Sequence, residues 1–182
     1  MAEAFSNKLT RAAGIVTTSS SGSIGVTTTI ITGISTVGVA VSDIVDNTNF
    51  IAGTKVTGYG DAASQVVVDQ TSTNTAAVSG TAIVNFLGMT TAYTSAAATK
   101  SILIGGTFAN NTSSSVNLTV EIHDASAGIQ AALASKIPVP TGSSFVISDA
   151  GKTVLEAGDE VRVFCDTANA LDVNLSILTG VS

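Results

Sequence analysis

Three stretches of this chain alternate apolar and polar residues with a period of two. Val116, Leu118, Val120 and Ile122 fall on one side of Asn117, Thr119 and Glu121. Val161, Val163 and Cys165 oppose Glu160, Arg162 and Asp166, and Val173, Leu175 and Ile177 oppose Asp172, Asn174 and Ser176. Successive side chains of a strand point to opposite faces, so this pattern describes half-buried antiparallel sheets with one wet face. A slip of one residue would turn every one of these apolar groups to water, which fixes the register.

Elsewhere the β signal comes from residue type. Val, Ile and Thr dominate from Gly14 onward, and their stiff branched side chains suit a pleated surface. Gly, Asn and Asp punctuate the chain at the spacing of sandwiches and barrels. Strands are predicted at Ile15–Thr18, Ile24–Ile31, Val37–Val41, Thr54–Tyr59, Val66–Asp69 and Ala82–Leu87. A second group is predicted at Ser101–Ile104, Val116–Ile122, Phe145–Ser148, Glu160–Cys165 and Asp172–Leu178. The Ser/Thr/Asn segments Thr17–Ser23 and Asn110–Ser115 are predicted to be hairpin tips or loops. Ser126–Ser135 suits either a short helix or a strand and loop, because Gly128 weakens a helix. The following Ile137-Pro138-Val139-Pro140 suits an extended edge segment. The expected fold is all-β: two small antiparallel β-sandwich or barrel-like domains, 14–89 and 90–182, preceded by an N-terminal arm over residues 1–13. The arm carries what helical character there is, but is too short to be a stable helix alone.

Composition excludes several classes. Only seven residues are Lys or Arg and the net charge is −6, so a basic nucleic-acid surface is not expected. One Cys rules out a disulfide scaffold, and one His with it rules out a zinc cluster. Hydrophobic residues make up 45% and charged residues 11%, which argues against disorder. The most apolar stretch, Ile24–Val41, is interrupted by Thr, Ser and Gly, whereas a membrane helix needs about 20 predominantly apolar residues. The start of the chain lacks the pattern of a secretory signal, so synthesis in a cytosol is expected.

The polar residues that could carry chemistry are sparse. His123-Asp124 ends an alternating strand and has no second His to complete a site. Cys165 lies on an apolar face, where a packed thiol is expected. The acidic turn Glu156-Ala157-Gly158-Asp159-Glu160 has the oxygens for a calcium ion but lacks the EF-hand spacing, and a turn built on Gly158 accounts for it. Gly58-Tyr59-Gly60 and Gly105-Gly106 lack the remainder of a phosphate-binding motif. The sequence therefore assigns no catalytic residue, no cofactor and no metal ligand. Low charge, few aromatics and unpaired strand edges instead point to burial completed by a partner. The interface residues expected on position and composition are Phe5, Lys8, Leu9 and Arg11 in the arm, and Asn110, Asn111 and Thr112 in the Asn110–Ser115 loop.

The order of motifs carries a resemblance. The C-terminal half opens with Ala92-Tyr93-Thr94-Ser95. It runs through Lys100–Ile104, the Ala109–Thr112 loop, Ile137–Pro140 and Phe145-Val146-Ile147, then closes with Leu155-Glu156-Ala157-Gly158-Asp159 and Val173–Leu178. This resembles small β-sandwich accessory proteins of tailed-phage virions, although Ala96 or Ala97 stands where that family commonly has Pro. The N-terminal half, with Val37–Val45, Ile51-Ala52-Gly53-Thr54-Lys55-Val56-Thr57 and Val66–Thr71, resembles a module of phage fibre and structural proteins. As a whole the chain is similar to virion structural proteins of T4-like marine cyanophages. The resemblance implies a non-enzymatic virion component that binds the major capsid protein or neck and tail proteins, as a homo-oligomer for which a trimer is one form. Neither nucleic acid nor membrane is an expected partner. Capsid decoration or cement is the leading expectation, a neck, tail or fibre-attachment part its rival. An adhesin or carbohydrate-binding module is the alternative from another class, one that needs an exposed aromatic platform.

Overall fold

The computed structural model describes residues 3–181, with the side chains of 149–151 outside that description. The chain is all-β and its strand pairs are antiparallel. Among the described residues no helix is long and apolar enough to cross a membrane. Two compact units form. One comprises Met1–Ala13, Thr90–Phe164 and Asn169–Ser182, the other Gly14–Met89 and Cys165–Ala168.

The unit built on Gly14–Met89 is barrel-like. Its strands are β2 (Val16–Ile24), β3 (Ile30–Thr32), β4 (Ile44–Asp46), β5 (Val56–Tyr59), β6 (Gln65–Val68) and β7 (Val78–Leu87), in the sheet order β4-β7-β2-β3-β6-β5. The two ends of this sheet meet. Ile44 bridges Lys55, Val45 N–H donates to Thr54 O at 2.8 Å, and Val56 N–H donates to Asp43 O at 2.9 Å. Closure of this kind removes free edges. Ile24, Ile31, Ile34, Val66, Val84 and Phe86 fill the interior.

Three predicted elements change here. Thr17–Ser23 is no hairpin tip but the body of β2, between β7 and β3. Its outward Thr17, Ser19 and Ser21 are exposed, and Gly22 and Ile24 are buried. A polar run is compatible with a strand whose outer face is wet, and Thr favours the pleat. Val37–Val41 is no strand but a looped segment. Val37 is 81% exposed, and Gly38 within the segment and Ser42 just after it have φ of 81° and 77°, outside the extended region. The buried Asp43 organises this loop by accepting Ala40 N–H (2.8 Å) and Thr17 Oγ1–H (3.4 Å). Burial raises its carboxyl above the ordinary range, against the lowering effect of those two bonds. Ile24–Ile31 is divided between β2 and β3 by a turn that Ser72 closes, accepting Thr28 N–H and donating to Gly25 O.

The other unit holds two four-stranded sheets. Its strands are β1 (Ala4–Ala13), β8 (Thr90–Thr94), β9 (Lys100–Asn110), β10 (Val116–Asp124), β11 (Ile129–Val139), β12 (Ser144–Leu155), β13 (Glu160–Cys165) and β14 (Leu171–Val181). The sheets run β1-β14-β9-β12 and β11-β10-β13-β8. The alternating strands bury Val116, Leu118 and Val120; Val161, Val163 and Cys165; and Val173, Leu175 and Ile177, whereas Ile122, expected on the same face, is only half-buried beyond the register breaks of β10. Leu103 and Phe108 on β9 and Leu155 on β12 complete the inward faces.

The segment expected to be an arm is a strand of this unit. β1 pairs with β14 from Ala4↔Thr179 to Ala13↔Leu171. Its partner strand supplies the backbone donors and acceptors that a lone helix of this length could not hold together. Ser126–Ser135 resolves as turn and strand. Asp124 Oδ1 accepts Ser126 N–H and Ala127 N–H, each at 2.9 Å, and Gly128 turns with φ of 67° into β11. Ile137–Pro140 lies at the end of β11, an edge strand, where prolines are tolerated.

Candidate docking surface

The sheet β1-β14-β9-β12 has a buried face and an outward one, and the register identifies what the outward face presents. Phe5 pairs with Leu178, Leu178 with Ile102, and Ile102 with Val154, so one apolar row crosses all four strands. The next row on this face is Asn7, Ser176, Gly105 and Ser148, and the third is Leu9, Asn174, Thr107 and Val146. These three rows contain no charged residue, in a chain of net charge −6. Phe5 and Leu9 are 63% and 74% exposed, and Val146 and Val154 are each 52% exposed. Beyond Leu9 the face dips into a cleft of about 340 Å³ lined by Leu9, Arg11, Thr107, Ala109, Asp172 and Asn174. Asp172 anchors the cleft wall by accepting Ala12 N–H at 3.2 Å.

The expected interface residues separate on this geometry. Phe5 and Leu9 lie on the outward face, and Arg11 lines its cleft. Lys8 pairs with Leu175 and so stands on the opposite, core-side face, at the exposed edge of the sheet. A charge placed there guards an edge strand against pairing. The amides of the loop residues are committed to hydrogen bonds within the loop and to neighbouring segments of this unit. Asn110 is buried, its Nδ2 donates to Ser114 O (2.7 Å) and Val139 O (2.9 Å), and its Oδ1 accepts Thr112 N–H (2.9 Å) and Thr112 Oγ1–H (2.8 Å). That exhausts what an amide can donate and accept, so Asn110 has nothing left for a partner. The Asn111 amide, oriented to donate, reaches Ala170 O at 2.7 Å and Asn169 O at 3.2 Å. Sequence reasoning missed Leu178, Ile102, Val154 and Val146, whose common row depends on pairings distant in the chain.

The other polar candidates take structural roles. Asp159 is buried, with Oδ1 accepting Ala125 N–H at 3.0 Å and Oδ2 accepting Glu156 N–H at 2.9 Å. Its carboxylate is thus the keystone of the acidic turn, while Glu156 pairs with Lys100 at 2.9 Å. Among the described residues no three His, Cys, Asp or Glu side chains come together as a metal site would need. His123 is half-buried, and its Nδ1 is enclosed without a hydrogen-bond partner among the described residues. Gly105 and Gly106 sit inside β9, where a side chain at 106 would press on Leu175 Cδ2 at 2.8 Å.

Cys165 is buried, and burial pushes its thiol up to about 12. The folded protein is therefore expected to resist a thiol reagent at pH 8 and to label fully once denatured. Fast stoichiometric labelling of the native chain would contradict this burial. The unfolded thiol ionises near about 8.5. The contribution of this group to stability is thus intact below that value and is lost as pH climbs towards about 12.

No family model, no curated protein and no solved structure matches this chain.

Proposed function

We propose that the chain is a non-enzymatic structural subunit of a phage virion, docking on the capsid surface as a decoration or cement protein. The observation that supports this most is the transverse row Phe5, Leu178, Ile102 and Val154 on the outward face of β1-β14-β9-β12, where it and the two rows beside it carry no charge. Apolar area left on a soluble surface marks a place where another protein sits. A lattice of identical sites multiplies modest contacts by avidity, so a flat face without a deep pocket suffices. The motif order described above supplies the virion context, and the geometry favours a protein surface over a sugar. Sugars stack on exposed rings, and the outward face offers only that of Phe5.

The test is the copy number of the chain in density-purified particles, measured by mass spectrometry, together with the Phe5→Ala/Leu9→Ala variant. Hundreds of copies scaling with the capsid lattice are expected. A handful in multiples of three, six or twelve would relocate the protein to neck, tail or fibre, and absence from particles would reject a virion role. Losing both exposed side chains removes about 2 kcal/mol of burial per docked copy, roughly a thirtyfold weaker site. The variant should melt as the parent does, because neither side chain contributes to the core. Undiminished incorporation of this variant would remove the outward face as the docking surface.

A further inference from the structure

We infer that the cleft at the Arg11 end of the outward face is a carboxylate-binding subsite, which takes an Asp or Glu side chain of the docked virion protein with an apolar neighbour seated against Leu9. The inference rests on the docking reading above and names the chemistry of its partner. The chain has 13 acidic and seven basic side chains, so its cations have counterions to spare. Lys100 meets Glu156 at 2.9 Å, and Arg162 meets Glu160 at 2.7 Å. Arg11, the other arginine of the chain, is exposed and makes no hydrogen bond or ion pair among the described residues. Its guanidinium keeps its donors free, in the planar fork that grips a carboxylate through two parallel bonds.

The backbone sets Arg11 at this place. β1 pairs with β14 through Thr10↔Val173 and then at Ala13↔Leu171, so Arg11 and Ala12 together stand opposite the single Asp172. This is a bulge, and the φ of 57° at Ala12 lies in the left-handed region. Asp172 Oδ1 fixes it by accepting Ala12 N–H at 3.2 Å. Bulges re-aim the side chains beside them. Arg11 here lines a cleft of about 340 Å³ with the apolar Leu9 and the small or neutral Thr107, Ala109 and Asn174.

Asp172 is the one carboxylate lining this cleft, and it decides between kinds of anion. An inorganic anion has no donor to offer it. A peptide serves both charges: its carboxylate meets Arg11, and a backbone N–H donates to Asp172. The cleft shares Leu9, Asn174 and Thr107 with the third uncharged row, so a bound chain runs on across the face. The carboxylate it leaves at Arg11 is therefore a side chain and not a chain end.

Copies per density-purified particle, counted by mass spectrometry after washes at about 0.05 and 0.5 M salt, test this. Arg11→Gln is expected to melt as the parent does and to dock about tenfold more weakly. Salt should loosen the parent and the Phe5→Ala/Leu9→Ala variant but leave Arg11→Gln unaffected. Arg11→Lys particles treated with a carbodiimide should form an amide between the amine at position 11 and an Asp or Glu side chain, next to an apolar residue, of another virion protein. No such cross-link, or one only to Asp172 of the same chain or to a chain terminus, overturns the inference. So does Arg11→Gln that docks with the parent's strength and salt dependence. If Phe5→Ala/Leu9→Ala is nevertheless released, the docking face stands without this subsite. A parent chain absent from particles removes both.

Discussion

A chain that begins at Gly14 is expected to lose the folded state of the unit formed by residues 90–164 and 169–181, while the barrel-like unit survives. β1 contributes eight register pairs to β14. Thr179 Oγ1–H donates to Ala4 O at 3.1 Å, and Ala170 N–H to Ala13 O at 3.1 Å. Each ladder bond is worth about 0.5–1 kcal/mol net, so the strand contributes roughly 4–8 kcal/mol, comparable with the whole stability of a small domain. Its removal also bares the eleven-residue edge of β14, whose core-side Val173, Leu175 and Ile177 lose their lateral neighbour. Such a long edge with a continuous apolar face invites association between chains. Hydrogen exchange read by mass spectrometry should show protection retained at Ile24, Val66 and Val84 and lost along β9 and β14. A soluble truncated chain with β9 and β14 still protected would mean that the N-terminal segment is an arm and not an integral strand of this unit.

The reason β1 was illegible lies in which of its residues face the core. Ser6, Lys8 and Thr10 pair with the buried Ile177, Leu175 and Val173, whereas Phe5 and Leu9 point outward. The strand inverts the apolar-in pattern, because at an edge the core-side face is only partly covered. Along Val116–Val120, Val161–Cys165 and Val173–Ile177 the inner face is enclosed, so each alternating apolar residue there is buried. The candidate site divides in the same way. Phe5 and Leu9 are conspicuous in a polar segment, but Ile102, Val154 and Val146 acquire meaning only through pairings that span the chain from residue 5 to residue 178. No local pattern encodes those. The loop at Asn110 illustrates the opposite case: an Asn-rich stretch was legible as a loop, yet its amides close the loop instead of serving a partner.

Gly22→Ala is expected to destabilise the barrel-like unit by about 3 kcal/mol, the upper end of overpacking costs. In a run of Ser and Thr this glycine has the look of turn punctuation. In the fold it sits inside β2, opposite the small Ala82 of β7, and Ile34 lies directly over it. A methyl at position 22 would fall well inside van der Waals distance of Ile34 Cγ2 and within 2.8 Å of Thr32 O. Ile34 has little room to retreat, because it is 1% exposed and belongs to the same core cluster as Ile24, Ile31 and Phe86. A close-packed interior transmits such a displacement to its neighbours instead of absorbing it. The double-mutant cycle with Ile34→Ala isolates the cause. Ile34→Ala alone should cost about 2–5 kcal/mol through the cavity it leaves. In that background the clash with Ile34 Cγ2 is gone and only the contact with Thr32 O remains, so the cost of the methyl at 22 should fall by about 2 kcal/mol, which is the coupling of the pair. Denaturant melts of the four chains give the cycle. If Gly22→Ala costs as much without the Ile34 side chain as with it, the clash is with the Thr32 carbonyl, and the requirement for glycine lies in the approach of β3 instead of in the packing of Ile34.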